Sequence, residues 1–468
     1  MSAMDRLSSL AFEAVCTPHT NYGRSILHAA CIERDVTTCK TILCCSPSKL
    51  DTEIALRVKI AKSPKATCDT SVTARDLVKG NNEAPELLKI MESADKNAQR
   101  LSLVHEAARK GSVRHIKRVL ELGESIDKPS PFRDDGSATP LLLAAASNSC
   151  RVVRFLVEKG ADVDGKDRGR RGVLHYAAMG GNKDTVLYLL RLGVPVDCKS
   201  TWGKSALHMA AGKGHAEIVG ILTQNGADLQ SSTGFGDTPL LLAAEEGHVG
   251  CVKALVQNGS SVNVSNMALY TPLHNAAKEG YTEVVRYLLR SGSRIDTTSS
   301  KGETPLSLAV RKINNKDTVT SLLLYGSSLD LCDRYGRTPL HYAVEKEVAE
   351  LLVEKGADLH VRDFEGKTPL FLAALDGCEK VVKFLIEKGS TINMSSGSGD
   401  TPLHEAAIRG HVNIAQLLLR HGANINARRM TGETPLFLAI IACKVEMKQL
   451  LISSGAVMNI STFEVQEA

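Results

Sequence analysis

Eleven times between Ser102 and Thr434 the chain restarts on one short phrase, a variant of TPLHxAA; seven of the ten intervals are 33 residues and the others are 37, 34 and 30. The copies begin at Ser102, Thr139, Gly172, Ser205, Thr238, Thr271, Thr304, Thr338, Thr368, Thr401 and Thr434, and weaker ones stand at Ser25 and Ser71. A period held over so many copies argues against a single globular core. Each copy is one supersecondary module, and the modules must bury their apolar faces against one another. Composition agrees: only 4% of the 468 residues are aromatic and one is Trp, so small aliphatic contacts must hold the array together.

The unit at Thr238 shows how one module is built. The Thr238 hydroxyl suits the N-cap, and Pro239 suits the first helical position, where no N–H is needed. Leu240, Ala243 and Ala244 then share one face, with the alanines small enough for a neighbouring helix to approach closely, and Gly247 ends the helix. Val252, Leu255 and Val256 recur at helical spacing until Gly259, and the polar stretch SSVNVSN leads to the next Thr-Pro. The spacing predicts helix, turn, helix and extended loop in every unit.

The TPLHxAA phrase, the Gly-His turn and the GADVD or GANIN ending resemble ankyrin repeats over nearly all of Ser102–Asn459. The resemblance implies an all-α repeat solenoid with short β-hairpin fingers, about eleven clear units and one or two degenerate N-terminal ones. The expected organisation is a capping segment over 1–24, degenerate units with an insertion over 25–101, the regular array over 102–459 and a short tail over 460–468. Leu7, Leu10, Ala11, Ala14 and Val15 mark the amphipathic cap.

The resemblance also implies binding of other proteins through inner helices and finger tips, at the residues flanking the Thr-Pro step and those after the paired alanines. It points to Trp202, Lys204, Lys213, Phe235, Glu245, Glu246, Met267, Tyr270, Arg334, Tyr335, Arg337 and Phe364. Trp202, Phe235 and Tyr335 stand three residues before the Thr position, where nothing in the repeat itself demands an aromatic. Each is either a contact for a partner or packing for the adjacent finger. Arg168 and Arg171 in the DRGRRG finger are either a grip for an acidic segment or a solvated basic turn. The insertion before Thr139 adds Phe132 and Arg133 as further candidates.

Other chemistries find little support. A net charge of +5 is mild for this length and gives no nucleic-acid footprint. Twelve cysteines without a C-x-x-C pair fit reduced thiols in a cytoplasmic, or also nuclear, protein, including the six from Cys16 to Cys68. No stretch has membrane length. His175, His208, His274, His341 and His404 recur once per unit, which sets them roughly 8–10 Å apart in a stack, too far to share a metal; in the family this His ties the turn by hydrogen bonding. Gly203-Lys204-Ser205 resembles the end of a phosphate loop, yet Cys198 stands where that loop needs Gly. No catalytic signature appears, and no cofactor or metal is expected. Asn263, Asn393 and Asn426 fall where the family resembles substrates of asparaginyl hydroxylation, the alternative being a loop hydrogen bond.

The expected role is therefore a noncatalytic, monomeric interaction scaffold or adaptor. The alternatives are the substrate-recognition subunit of a ubiquitin ligase, or the ankyrin part of a larger membrane or signalling protein. One irregularity stands out. The Thr304 unit replaces its Gly-His turn with Asn314-Asn315 and gains one residue, and the Thr338 unit loses three at the same turn. A weak seam is expected from Lys312 to Leu351.

Overall fold

The computed structural model describes residues 104–121, 123–130, 136–147 and 149–457. The expected N-terminal cap, the Ser25 and Ser71 copies, the six N-terminal cysteines, Phe132, Arg133 and the tail lie outside these residues. The chain divides into two compact units, Met1–Pro195 and Val196–Ala468.

The first unit carries α1 (Val113–Glu121), α2 (Pro140–Ala146), α3 (Cys150–Glu158), α4 (Val173–Gly180) and α5 (Lys183–Arg191), preceded by helical residues 104–109. Leu141, Leu142, Ala144, Ala145, Val152, Val153 and Leu156 are buried between them.

The second unit repeats one plan. Short inner helices α6 (Ala206–Gly212), α8 (Pro239–Glu245), α10 (Pro272–Glu279) and α12 (Pro305–Arg311) alternate with nine-residue outer helices α7 (Ala216–Gln224), α9 (Val249–Gln257), α11 (Thr282–Arg290) and α13 (Lys316–Leu324). A 3₁₀ turn, Pro339–Tyr342, and α14 (Lys346–Glu354) follow. The pattern then resumes with α15 (Pro369–Leu375), α16 (Glu379–Glu387), α17 (Pro402–Arg409), α18 (Val412–Arg420), α19 (Pro435–Ile441) and α20 (Val445–Ser453).

The inner helices start as the sequence requires: the hydroxyls of Thr238, Thr271 and Thr304 accept from the amides of Leu241, His274 and Ser307 at 3.4, 3.4 and 3.1 Å. Successive inner helices pack side by side through the paired alanines. Leu240, Ala243, Ala244, Leu273, Ala276 and Ala277 have no exposed surface, and each such leucine contributes roughly 2 kcal/mol of burial.

The recurring histidine joins neighbouring units. His208 Nδ1 accepts from the Ser205 amide at 3.1 Å, and its Nε2 bonds the Asp237 carbonyl of the next finger at 3.1 Å. His274, His341 and His404 repeat the arrangement on Glu303, Lys367 and Glu433.

The fingers differ from the expected β-hairpins. Among the described residues there is no strand; each finger is a tight turn. In the Thr238 finger Thr233 N donates to Asp237 O and Gly236 N to Thr233 O, both at 2.9 Å. The Thr233 hydroxyl also accepts from the amides of Phe235 and Asp237 at 3.2 and 3.1 Å. A side-chain oxygen five residues before the Thr thus takes up the amides that a strand partner would have claimed. Asn266, Ser299, Asp333 and Asp363 do the same.

Candidate functional site

Adjacent finger tips are joined by one backbone hydrogen bond at each step. Gly234 N donates to Trp202 O, Met267 N to Phe235 O and Ser300 N to Ala268 O, each at 3.0 Å; Arg334 N, Phe364 N and Met430 N continue the series to Lys301, Tyr335 and Ser398. The close approach depends on glycine: a Cβ on Gly236 would lie 2.9 Å from Met267 N. The row therefore holds its side chains outward on a fixed backbone.

Those side chains include a set of exposed apolar residues. Trp202, Phe235, Met267, Leu269, Tyr335, Phe364 and Met430 are 65, 63, 74, 50, 45, 76 and 80% exposed. Single exposed hydrophobes are common; here they recur along the fingers of a chain only 4% aromatic. Trp202 and Phe235 are also stacked, with centroids 6.3 Å apart and planes 13° from parallel, so they both pack on a neighbouring finger and face solvent. The Phe364 ring lies over Gly336, where an added Cβ would come within 2.6 Å of it.

Two local rules of folding are broken here. Leu269 has φ 60°, at the position where seven other fingers carry Gly203, Gly236, Gly302, Gly336, Gly366, Gly399 and Gly432 with φ from 74° to 93°. Left-handed backbone costs a leucine about 1–2 kcal/mol. Glu245 and Glu246 end and cap α8, where the helix dipole disfavours an anion by about 0.3–1 kcal/mol. Burial, then the charges of Asp237, Glu246 and Glu279, push the Glu245 carboxyl up, with Lys278 opposing.

The remaining sequence candidates fall into two groups. Lys213 and Arg168 are exposed, and Lys204 is half-buried. Arg334 is exposed and donates to the Tyr335 hydroxyl at 2.5 Å. Tyr270, Arg337 and Arg171 instead turn their polar groups inward. Arg171 Nε meets the buried Asp167 at 2.6 Å, and the Tyr176 hydroxyl donates to the same carboxylate. Tyr270 donates to Glu303 at 2.6 Å, and burial followed by that bond pushes its hydroxyl up to about 12.

Around the irregular units these inward bonds form a chain. Burial alone would raise the Glu303 carboxyl, but the Tyr270 hydroxyl and the Arg311 guanidinium, 2.6 Å away, hold it below the usual range. Arg311 also stacks 3.7 Å over the Tyr342 ring, and Tyr342 donates to the buried Asp333. Arg337 Nε reaches the buried Asp363 at 3.1 Å. Sequence reasoning missed this chain, Leu269 and Met430. The signal for Leu269 was present: a bulky residue where seven counterparts are glycine and, among the described residues, only Ser137 and Arg170 also depart.

Asn263 and Asn393 tie loops together through their carboxamides, donating to Gly292 O at 3.2 Å and Gly422 O at 3.0 Å; Asn426 accepts from Val457 N at 2.9 Å. The depressions between fingers are shallow; one of about 500 Å³ is bordered by Gln230, Ser232, Asn266 and Met267. Among the described residues no group of three or more His, Cys, Asp or Glu is placed to hold a metal, and no helix is long and apolar enough to cross a membrane.

The family model of ankyrin repeats matches residues 74–167, 174–266, 265–329, 306–396 and 391–462. Among solved structures, the chain is similar to the human ASB11 ankyrin repeat domain, at 29% identity and a TM-score of 0.43, covering 48% of this chain and 100% of that one. A comparison with curated proteins finds no match.

Proposed function

The chain belongs to the ankyrin-repeat family, whose repeats are generally protein-interaction modules, and from that premise we propose that it is a noncatalytic scaffold or adaptor that binds other proteins through its finger tips and inner helices. The observation that carries this reading is the row of exposed apolar residues from Trp202 to Met430, held on backbone-bonded fingers. A rigid presenting surface lowers the ordering cost of association, and large aromatic anchors supply most of the energy of an interface. Glu245, Glu246, Lys204, Lys213 and Arg334, on the same repeats, add charge that sets selectivity more than strength.

Co-purification from the native cell tests the reading. With Trp202→Ala and Phe235→Ala combined, a specific binder is lost, with affinity falling by about 2 kcal/mol or roughly 30-fold, while the melting temperature holds. An unchanged set of binders with this pair, and again with Phe364→Ala and Met430→Ala, would sink it.

A further inference from the structure

We propose that the surface formed by Trp202, Phe235, Met267 and Leu269, together with Glu245 and Glu246, takes an extended segment of a partner protein in which an aromatic or aliphatic residue lies beside lysine or arginine. This proposal rests on the interaction role given above and commits it to one place and one chemistry.

Three observations converge on it. The stacked Trp202–Phe235 pair keeps most of its surface in solvent, and aromatic faces attract an ammonium or guanidinium as well as apolar groups. In the same repeat as Phe235, Glu245 and Glu246 stand at the unfavourable end of α8, with no ion-pair partner among the described residues. The neighbouring groups relieve them only in part. Lys278 and Lys312 lie on Glu279 at 3.2 and 3.1 Å, and Asp237 adds a further negative charge. Lys204 shares the Trp202 finger and Lys213 caps α6, which packs on α8, so the unpaired negative charge is confined to the end of α8. The third observation is the left-handed Leu269 tip, half exposed, which presents a leucine where glycine would relax the backbone. Strain and misplaced charge on solvent-facing residues of two adjacent repeats are features that a bound partner would offset. Cationic residues on the partner complete the charge match.

Random peptides displayed on phage are selected against the immobilised full chain, and the winners are synthesised and titrated by fluorescence anisotropy. The expected winners carry lysine or arginine next to an aromatic or leucine, and their affinity falls as salt is raised. Binding weakens at least about tenfold with Trp202→Ala and with the pair Glu245→Lys and Glu246→Lys. A peptide whose lysines are changed to glutamate regains affinity for the charge-reversed chain. Leu269→Gly raises the melting temperature and weakens binding. Peptides that bind equally well to every variant overturn this proposal and leave the wider role standing, as does charge reversal without recovery by the complementary peptide. If no peptide binds and the tip variants also leave the cellular binders unchanged, both readings fail.

Discussion

The histidine clasp gives individual residues a measurable acid sensitivity. Burial pushes the imidazoles of His208 and His274 from 6.5 down to about 4, despite the opposing pull of the carbonyls of Asp237 and Glu303. His341 and His404 shift the same way for the same reason. Above pH 6.5 neither the folded nor the unfolded chain protonates these rings, and the clasp contributes in full. As pH falls from 6.5 toward 4 the unfolded chain takes up protons that the fold refuses, and stability declines. Urea titrations are expected to show a loss of roughly 2 kcal/mol at pH 5 for each of His208 and His274. A flat profile between pH 7 and 5 would refute neutral clasps. Leu269→Gly acts in the opposite sense, raising stability by about 1 kcal/mol through relief of left-handed strain, read as a higher melting temperature. The exposure of Trp202 and Phe235 was legible in the sequence because nothing in the repeat called for them. The inward turn of Tyr270 and Arg337 was not, since their partners Glu303 and Asp363 lie 33 and 26 residues away.

At the level of elements, the shortened unit is the expected weak point. With three residues missing at the turn, the inner helix is reduced to the single 3₁₀ turn Pro339–Tyr342. Asn314 bridges the gap, its left-handed amide donating to Glu345 at 3.0 Å. Short 3₁₀ turns hold fewer and poorer hydrogen bonds than α-helix, so amides of 340–345 should exchange faster than those of α8 and α10. Equal protection would contradict the seam. The Arg311 contacts compensate in part: Arg311→Ala leaves Glu303 and Asp333 buried without their cation, a loss of about 1–3 kcal/mol after allowance for its partial exposure, measurable by chemical denaturation. Most helix starts were readable from Thr-Pro, and the broken metre marked the unit whose inner helix is shortened. The strandless fingers were not foreseen, because Thr233, Asn266 and Asp363 satisfy the finger amides from within one turn. The recurring Ser, Thr, Asn or Asp five residues before each Thr from Thr238 to Thr401 was the available clue.

For the whole molecule, stability within the second unit is a sum over neighbours. Leu418→Ala removes a fully buried side chain of α18, a loss of about 2–5 kcal/mol. Hydrogen exchange should then quicken in α17 to α20 while α6 to α9 keep their protection; uniform quickening would mean a single cooperative block. Among the described residues the repeat register was legible because one period governs them, whereas the proposed partner surface depends on a handful of positions that the period leaves unconstrained. The bonds between tips all run one way, each amide giving backward to the carbonyl of the finger before it. Such a row has a head and a tail, so a strand of partner laid along it meets a different order of groups when reversed, and a peptide synthesised in retro sequence should fail to bind where its parent succeeds.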